Sequence, residues 1–334
     1  MKFFINKGDG FGYAIYINNN SNLVATETLC GKSMKNEKVL LENCLCFDGD
    51  QKEKNICAIT AANKNGELFF ITFSEGNAKK IKFSDSPERI IFESLKILCL
   101  KNQSIITLCI EEETCFAHIC FSVSQGIAKE RRLIFKSKEF CPCIYFSKNQ
   151  ENSIEFVFKC KNKFNRYIYD EKEITKTASF SFSKNETKDE FFIIKGEKLR
   201  GIYKQNNLLF FFEGVFEKES FIFQNTALTK KHLKNHQKPI LIEENENLWT
   251  VVWQGDNKLF KAQKTNQISR WSKISEFETE ENFEIAKICC NGKSRKILVS
   301  ENQFFGFNET ENLVRILIKH EKEIKALNKK LNLT

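Results

Sequence analysis

Two histidines stand four residues apart in the basic stretch from Lys230 to Lys238. On a helix, His232 and His236 would share one face, as metal-ligating histidines do in the H-E-x-x-H pattern. Leu233 stands where that pattern has its glutamate, and no third ligand follows. The surrounding lysines predict that this stretch is a solvated loop or short helix. The alternative, functional interpretation is that it forms an anion- or partner-binding patch. The patch would consist of Lys230, Lys231, His232, Lys234, His236 and Lys238.

Cysteine is the other residue type whose spacing could support metal or redox chemistry. Of the 13 cysteines, Cys44 and Cys46 are two apart, as are Cys141 and Cys143, and Cys289 precedes another cysteine directly. Structural zinc sites use cysteine pairs with two to four residues between them. Cysteines two apart on a strand share a face, which is typical of small buried residues. We therefore expect buried, reduced thiols, with no metal and no cofactor.

Motifs of the common enzyme classes are missing from the sequence. It contains no G-x-S-x-G nucleophile elbow, no P-loop and no G-x-G-x-x-G fingerprint. The glycine-rich run from Gly8 to Gly12 precedes strand-like residues, so no helix N-terminus is expected there to bind a phosphate. The sequence leaves enzymatic activity open but favours a protein without it.

Composition and charge narrow the classes of partner. The chain has 334 residues, 41% of them apolar and 28% charged, with a net charge of +9. Its lysines are spread along the chain and interleaved with glutamates, whereas nucleic-acid-binding proteins concentrate their lysines and arginines on one face. No run of about 18 apolar residues and no signal-peptide core is present. We expect a cytoplasmic protein with no membrane span. Nucleic-acid association through the patch from Lys230 to Lys238 is the least favoured hypothesis.

The elements that must position these residues are short strands. Between Ile240 and Lys264, apolar runs alternate with turn-like polar groups, and Trp249, Val251 and Trp253 fall on one side of a strand. Similar groups of three or four strands recur along the chain. They begin at Ile56, Ile97, Cys143, Leu199, Ile240 and Ile285, with spacings of 41 to 56 residues.

Repeats of this length predict an all-β fold, a six- or seven-bladed β-propeller. If residues 11–29 join the unit that begins at Ile285, the ring has six blades, and if 11–52 form a blade of their own, it has seven. Two unrelated β-sandwiches are the alternative, because they place turns at similar spacing.

Residues 308–334 differ from the repeats and predict a C-terminal amphipathic α-helix after a propeller domain at 1–307. Asn308 and Glu311 match a helix-capping box. A seam of apolar residues, interrupted by His320, follows at alternating spacings of four and three. The helix either docks on its own propeller or pairs with a second copy. Its contact residues would be Leu313, Leu317, Ile324, Leu327 and Leu331.

The stretch from Lys258 to Trp271 resembles the turn of sialidase-like propellers, where a strand leads into the Asp-box S-x-D-x-G-x-[ST]-W. Aligning the tryptophans places Lys264 at the serine, Asn266 at the aspartate, Ile268 at the glycine and Arg270 at the last hydroxyl. The resemblance implies a propeller and, as an expectation, carbohydrate binding or hydrolysis. No catalytic residue is carried over from it.

The sequence thus supports two hypotheses from different classes. The first is a non-enzymatic propeller scaffold that binds a protein partner, with the C-terminal helix for docking or oligomerisation. The alternative is a divergent sialidase-like propeller that binds or hydrolyses a carbohydrate, for which Trp249 and Trp253 would be surface residues.

Overall fold

The protein is a β-propeller. The computed structural model describes residues 3–8, 11–29, 32–53, 56–84, 95–100, 104–111, 114–123, 126–136, 143–148, 153–170, 173–181, 187–217, 220–229, 239–245, 248–255, 258–265, 270–278, 283–290, 293–299 and 304–305. Over these ranges the chain forms 27 strands and no helix. The described residues therefore include no helix that is long and apolar enough to cross a membrane.

The strands form five four-stranded blades and one seven-stranded sheet, which we call the closing sheet. The closing sheet begins with β1 (Phe3–Gly8), β2 (Phe11–Ile17), β3 (Leu23–Leu29) and β4 (Lys32–Leu41). Blade 1 contains β5 (Cys44–Glu53), β6 (Ile56–Asn63), β7 (Leu68–Ser74) and β8 (Asn77–Ser84). Blade 2 contains β9 (Lys96–Cys99), β10 (Ser104–Glu111), β11 (Thr114–Val123) and β12 (Gly126–Lys136). Blade 3 contains β13 (Cys143–Lys148), β14 (Ile154–Cys160), β15 (Lys163–Tyr169) and β16 (Ile174–Phe180). Blade 4 contains β17 (Lys188–Lys195), β18 (Lys198–Gln205), β19 (Leu208–Glu217) and β20 (Ser220–Ala227). Blade 5 contains β21 (Ile240–Asn245), β22 (Leu248–Gly255), β23 (Lys258–Thr265) and β24 (Ser275–Glu278). The closing sheet ends with β25 (Glu284–Cys290), β26 (Lys293–Val299) and β27 (Phe304–Phe305).

The two ends of the chain meet in the closing sheet. Strand β1 runs parallel to β25, and Phe3 pairs with Lys287 and Ile5 with Cys289. Of the two alternatives for the N-terminal strands, the one in which residues 11–29 join the unit that begins at Ile285 agrees with this sheet. The expected count of six or seven blades is wrong: over the described residues five separate blades form, because the terminal strands merge into one sheet.

Four of the six expected unit starts are confirmed to within one residue, at β9, β13, β21 and β25. The other two were placed one strand too late. The first strand of blade 1 is β5, which begins at Cys44, and the first strand of blade 4 is β17, which begins at Lys188. Both strands carry several charged residues beside an apolar run, at 44–47 in β5 and at 191–194 in β17.

The hairpin turns follow local backbone preferences. Asn206 and Asn207, between β18 and β19, have φ values of 48° and 59°. Glu75 and Gly76, between β7 and β8, have φ values of 49° and 78°. Two successive residues with positive φ are what a type I′ hairpin turn requires.

The hydrophobic core lies between neighbouring sheets. The closing sheet packs on blade 1 through Phe3 and Ile59, and blade 1 packs on blade 2 through Phe70 and Ile97. Similar clusters join blades 2 and 3, blades 3 and 4, and blades 4 and 5. Phe283, just before β25, joins the cluster of blade 5. Each sheet thus buries both faces only through its neighbours, which is the physical basis of a ring of blades.

The predicted C-terminal helix at 308–334 lies outside the described residues. The domain boundary at 307 is therefore a prediction that the described strands do not test.

Candidate functional site

A set of six residues on one face of blade 4 forms the candidate site, which we call the blade 4 groove. Side chains of paired residues on neighbouring strands lie side by side on the same face of a sheet. Arg200 on β18 pairs with Glu213 on β19, which pairs with Gln224 on β20. The second row, in the same order of strands, consists of Lys198, Val215 and Ile222. These residues line an open pocket of about 330 Å³.

Two cations hold Glu213 in the ionised form. Lys264 Nζ, from blade 5, lies 2.9 Å from Glu213 Oε1, and Arg200 Nε lies 3.4 Å from Oε2. Burial alone would raise the pKa of Glu213. The hydrogen bond and charge of Lys264, together with those of Arg200, outweigh burial and hold the pKa below its usual value. The groove therefore carries a fixed negative charge between two positive ones.

The apolar part of the groove faces solvent. Val215 is 38% exposed and Ile222 is 58% exposed, and the two are cross-strand partners within regular strands. Single exposed apolar residues are ordinary, but adjacent ones beside polar groups are typical of interaction surfaces. Lys198, in the same row, is exposed and forms no ion pair with any described residue.

The two cations each lie over an aromatic ring, one from blade 4 and one from blade 5. Arg200 Cζ lies 4.6 Å from the ring centroid of Trp249, and Lys264 Nζ lies 5.0 Å from that of Phe211. Trp249 and Trp253 are 2% and 1% exposed. The expectation that these tryptophans are surface residues is wrong, because the face they share is the one that packs blade 5 on blade 4.

A second arginine–glutamate pair lies in the core between blades 3 and 4. Arg166 Nε donates to Glu155, and its Nη2 lies 3.2 Å from the carbonyl oxygen of Gly196. Arg166 Cζ also lies 4.3 Å from the ring centroid of Phe216. Burial raises the pKa of Glu155, although the charge and hydrogen bond of Arg166 oppose the shift. With both side chains 4% exposed, this pair joins two blades and offers no surface to a ligand.

A third polar cluster surrounds Asp48 and Asp50 on β5, where first strands of neighbouring sheets contact one another. Asp48 and Asp50 accept hydrogen bonds of 2.9 Å from the N–H groups of Ile97 and Cys99 on β9. Lys287 Nζ lies 3.3 Å from Asp48 Oδ1, and a lysine of β13 pairs with Asp50. The carboxylates thus satisfy edge amides of blade 2, which is a structural role.

Burial raises the pKa of several described cysteine thiols, which fits the expected structural role. Cys44, Cys57, Cys99 and Cys289 are buried and are not disulfide-bonded. Burial raises the pKa of Cys44 to about 12, which keeps it protonated. Cys160, in contrast, is disulfide-bonded, so the expectation of reduced thiols throughout is wrong there. Among the described residues no cluster of His, Cys, Asp and Glu is arranged to hold a metal ion.

The structure does not test the residues that the sequence assigns to partner binding. The basic stretch at 230–238 and the helix residues at 313–331 lie outside the described residues. Conversely, sequence reasoning missed the groove. The sequence carries only local traces of it: Lys198 and Arg200 alternate with buried residues in β18, and the strand β20 has no charged residue.

Comparisons with known proteins yield the fold and no family. No family model and no curated protein matches the chain, so nothing at the level of sequence supports sialidase-like repeats.

Several solved structures are similar to this chain. The β-propeller domain of Nup133 from Vanderwaltozyma polyspora is 10% identical over 87% of this chain and 88% of that one, with a TM-score of 0.56. YCF48 from Cyanidioschyzon merolae is 9% identical over 91% and 93%, with a TM-score of 0.54. A variant of the lectin of Aleuria aurantia, in complex with α-methyl-L-fucoside, is 12% identical over 77% and 88%, with a TM-score of 0.48. The likeness to the Nup133 domain and to YCF48 supports the β-propeller fold and, at these identities, leaves function to the residues of this chain.

Proposed function

We propose that this chain is a non-enzymatic β-propeller scaffold that binds another protein through the blade 4 groove. The observation that carries the proposal is the exposed pair Val215 and Ile222 beside the ion pairs of Glu213. Protein interfaces combine an apolar centre with a polar rim. Because the groove is built on three paired strands, little order has to be gained on binding.

A comparison of three purified proteins tests the proposal. The chain itself, a Val215→Ser/Ile222→Ser variant and a Phe277→Ser control are used to capture proteins from extract of the native host. Phe277 is 52% exposed on the outer strand of blade 5, so it matches Ile222 in exposure but not in position. We expect one protein to be retained by the chain and the control, and lost with the groove variant.

Two outcomes would contradict the proposal. The same proteins captured with all three forms would place binding elsewhere on the molecule. No captured protein, with turnover of glycosides or a thermal shift with a sugar panel, would favour the carbohydrate alternative instead.

The basic stretch at 230–238 and the helix at 308–334 are proposed as additional contacts, the helix for docking or oligomerisation. A form of the chain that ends at Phe307 tests the second contact. We expect it to lose either a captured protein or the self-association of the full chain, measured by light scattering. Unchanged capture and unchanged mass would remove the helix from the proposal.

A further inference from the structure

The outer strand of blade 4 differs from the outer strands of the other blades. The far edge of an outer strand has no further strand of its own sheet, and charged side chains normally protect such an edge from pairing with another chain. Among the outer strands described for the five blades, β8, β12, β16 and β24 all carry charged residues. Strand β20 reads SFIFQNTA and carries none.

The hydrogen-bonding direction of β20 follows from its register. Leu228 N donates to Leu209 O at 2.8 Å, and the β19–β20 ladder continues from there without a register shift. Because hydrogen-bonded and non-hydrogen-bonded pairs alternate in an antiparallel ladder, the pair of Phe212 and Asn225 is non-hydrogen-bonded. The backbone N–H and C=O of Asn225 therefore point away from β19, and Asn225 is exposed.

The side chains of an added strand would continue the two rows of the groove. A residue beside Ile222 would extend the row of Lys198 and Val215, and one beside Gln224 would extend the row of Glu213. Since Ile222 is 58% exposed, an apolar neighbour would gain by covering it.

Charge selects among extended peptides. On this face Arg200 and Lys264 are balanced by Glu213 and by Glu217 at the end of β19. Lys198, exposed and without an ion pair among the described residues, supplies the positive excess. An acidic segment is attracted to such a surface, whereas a basic segment or a second copy of the same surface is repelled.

We propose that the edge of β20 accepts an extended, acidic segment of a partner protein as an added fifth strand of blade 4. The inference rests on the proposed function, because it names the partner chemistry of the blade 4 groove. Main-chain hydrogen bonds supply the affinity in this mode of recognition, and alternate side chains supply specificity.

The experiment selects a displayed library of random peptides against the full chain and measures the selected peptides by fluorescence polarisation. We expect alternating apolar residues and at least one acidic residue. Asn225→Pro removes the outward N–H and should weaken binding about tenfold. Asn225→Ala keeps that N–H and should change binding by less than about twofold.

N-methylation of successive amides of the selected peptide provides a second readout that does not depend on the folding of a variant. Strand addition predicts that alternate positions lose affinity, because alternate peptide amides face β20. Absence of enriched peptides, loss of affinity without that alternation, or basic selected peptides would overturn the proposal.

Self-association gives a further decisive outcome. A dimer of the chain that dissociates in the Asn225→Pro variant would show that a second copy of the chain occupies the edge of β20. That result would also overturn the proposal of an acidic partner segment.

Failure of strand addition is distinguishable from failure of the proposed function. If peptides do not bind but the Val215→Ser/Ile222→Ser variant still loses its captured protein, the groove binds a folded surface and the proposed function stands.

Discussion

Arg166–Glu155 and Arg200–Glu213 are the same chemical pair in two different surroundings. The side chains of the first pair are each 4% exposed, and those of the second are 21% and 38% exposed. Burial raises the pKa of Glu155, whereas the cations around Glu213 outweigh burial and lower its pKa. The direction of the shift thus follows the balance between desolvation and neighbouring charge.

The comparison separates structural charge from charge that can serve binding. Arg166 is committed to the core, since it also contacts the carbonyl of Gly196 and the ring of Phe216. Arg200 shares its glutamate with Lys264 and lines an open pocket. Breaking a buried pair leaves an uncompensated charge in the core, whereas breaking an exposed one lets water replace the partner.

The largest predicted effect on the free energy of unfolding comes from removing the buried arginine, and removing the exposed one is its control. Arg166→Met leaves Glu155 buried without its cation and should lower the free energy of unfolding by about 3–5 kcal/mol. Arg200→Met, the matched control, leaves Glu213 with Lys264 and should cost about 1 kcal/mol or less. Urea denaturation at neutral pH measures both values.

A double variant sharpens this result. Arg166→Met/Glu155→Leu removes both buried charges and should recover most of the lost stability. If Arg166→Met and Arg200→Met lowered the free energy of unfolding equally, burial would not be what makes the first pair costly to break.

The second prediction concerns the sign of the pH dependence. The folded-state pKa of Glu213 is lowered, so its contribution to stability is present above the unfolded value of about 4.3 and is lost as pH falls through the folded value. The folded-state pKa of Glu155 is raised, so its ionisation reduces stability as pH rises through that value. The two carboxyl groups should therefore give opposite slopes.

Two glutamine variants measure these slopes. Glu213→Gln should be less stable than the unmodified chain near neutral pH, and the difference should vanish on acidification. For Glu155→Gln the difference should shift in favour of the variant as pH rises. Urea denaturation over a series of pH values gives both curves, and slopes of the same sign would contradict the assignment.

Much of the fold could be predicted from the sequence, because a propeller repeats a local pattern. Apolar alternation and hairpin turns are read from neighbouring residues, and they located four of six unit starts. The merging of β1 with β25 could not be read in this way, since it depends on a parallel pairing between residues more than 280 positions apart. The blade count therefore failed where the pattern was no longer local.

The candidate site could not be predicted for the same reason. Arg200, Glu213 and Gln224 form one row only once the register of three strands is known. Lys264 reaches Glu213 from the next blade. The sequence instead favoured residues that stand out by type, such as Trp249, which the blade interface buries.

The smallest effects on stability should distinguish the cations of the groove from one another. Lys198→Gln removes an exposed charge that forms no ion pair among the described residues, so the free energy of unfolding should change by less than about 0.5 kcal/mol. Lys264→Gln removes the closer partner of Glu213 and should cost about 0.5–1 kcal/mol. Urea denaturation at low salt resolves this order, because screening is then weakest.

Binding of a selected acidic peptide should depend on the same two lysines in a different order. Lys198 supplies the unbalanced charge, so Lys198→Gln should weaken binding and reduce its salt dependence while leaving stability unchanged. Lys198→Arg keeps the charge and should bind as the unmodified chain does. If Lys198→Gln and Lys198→Arg bind alike, the positive charge of the groove does not select the partner, and the choice of an acidic segment is wrong even if strand addition holds.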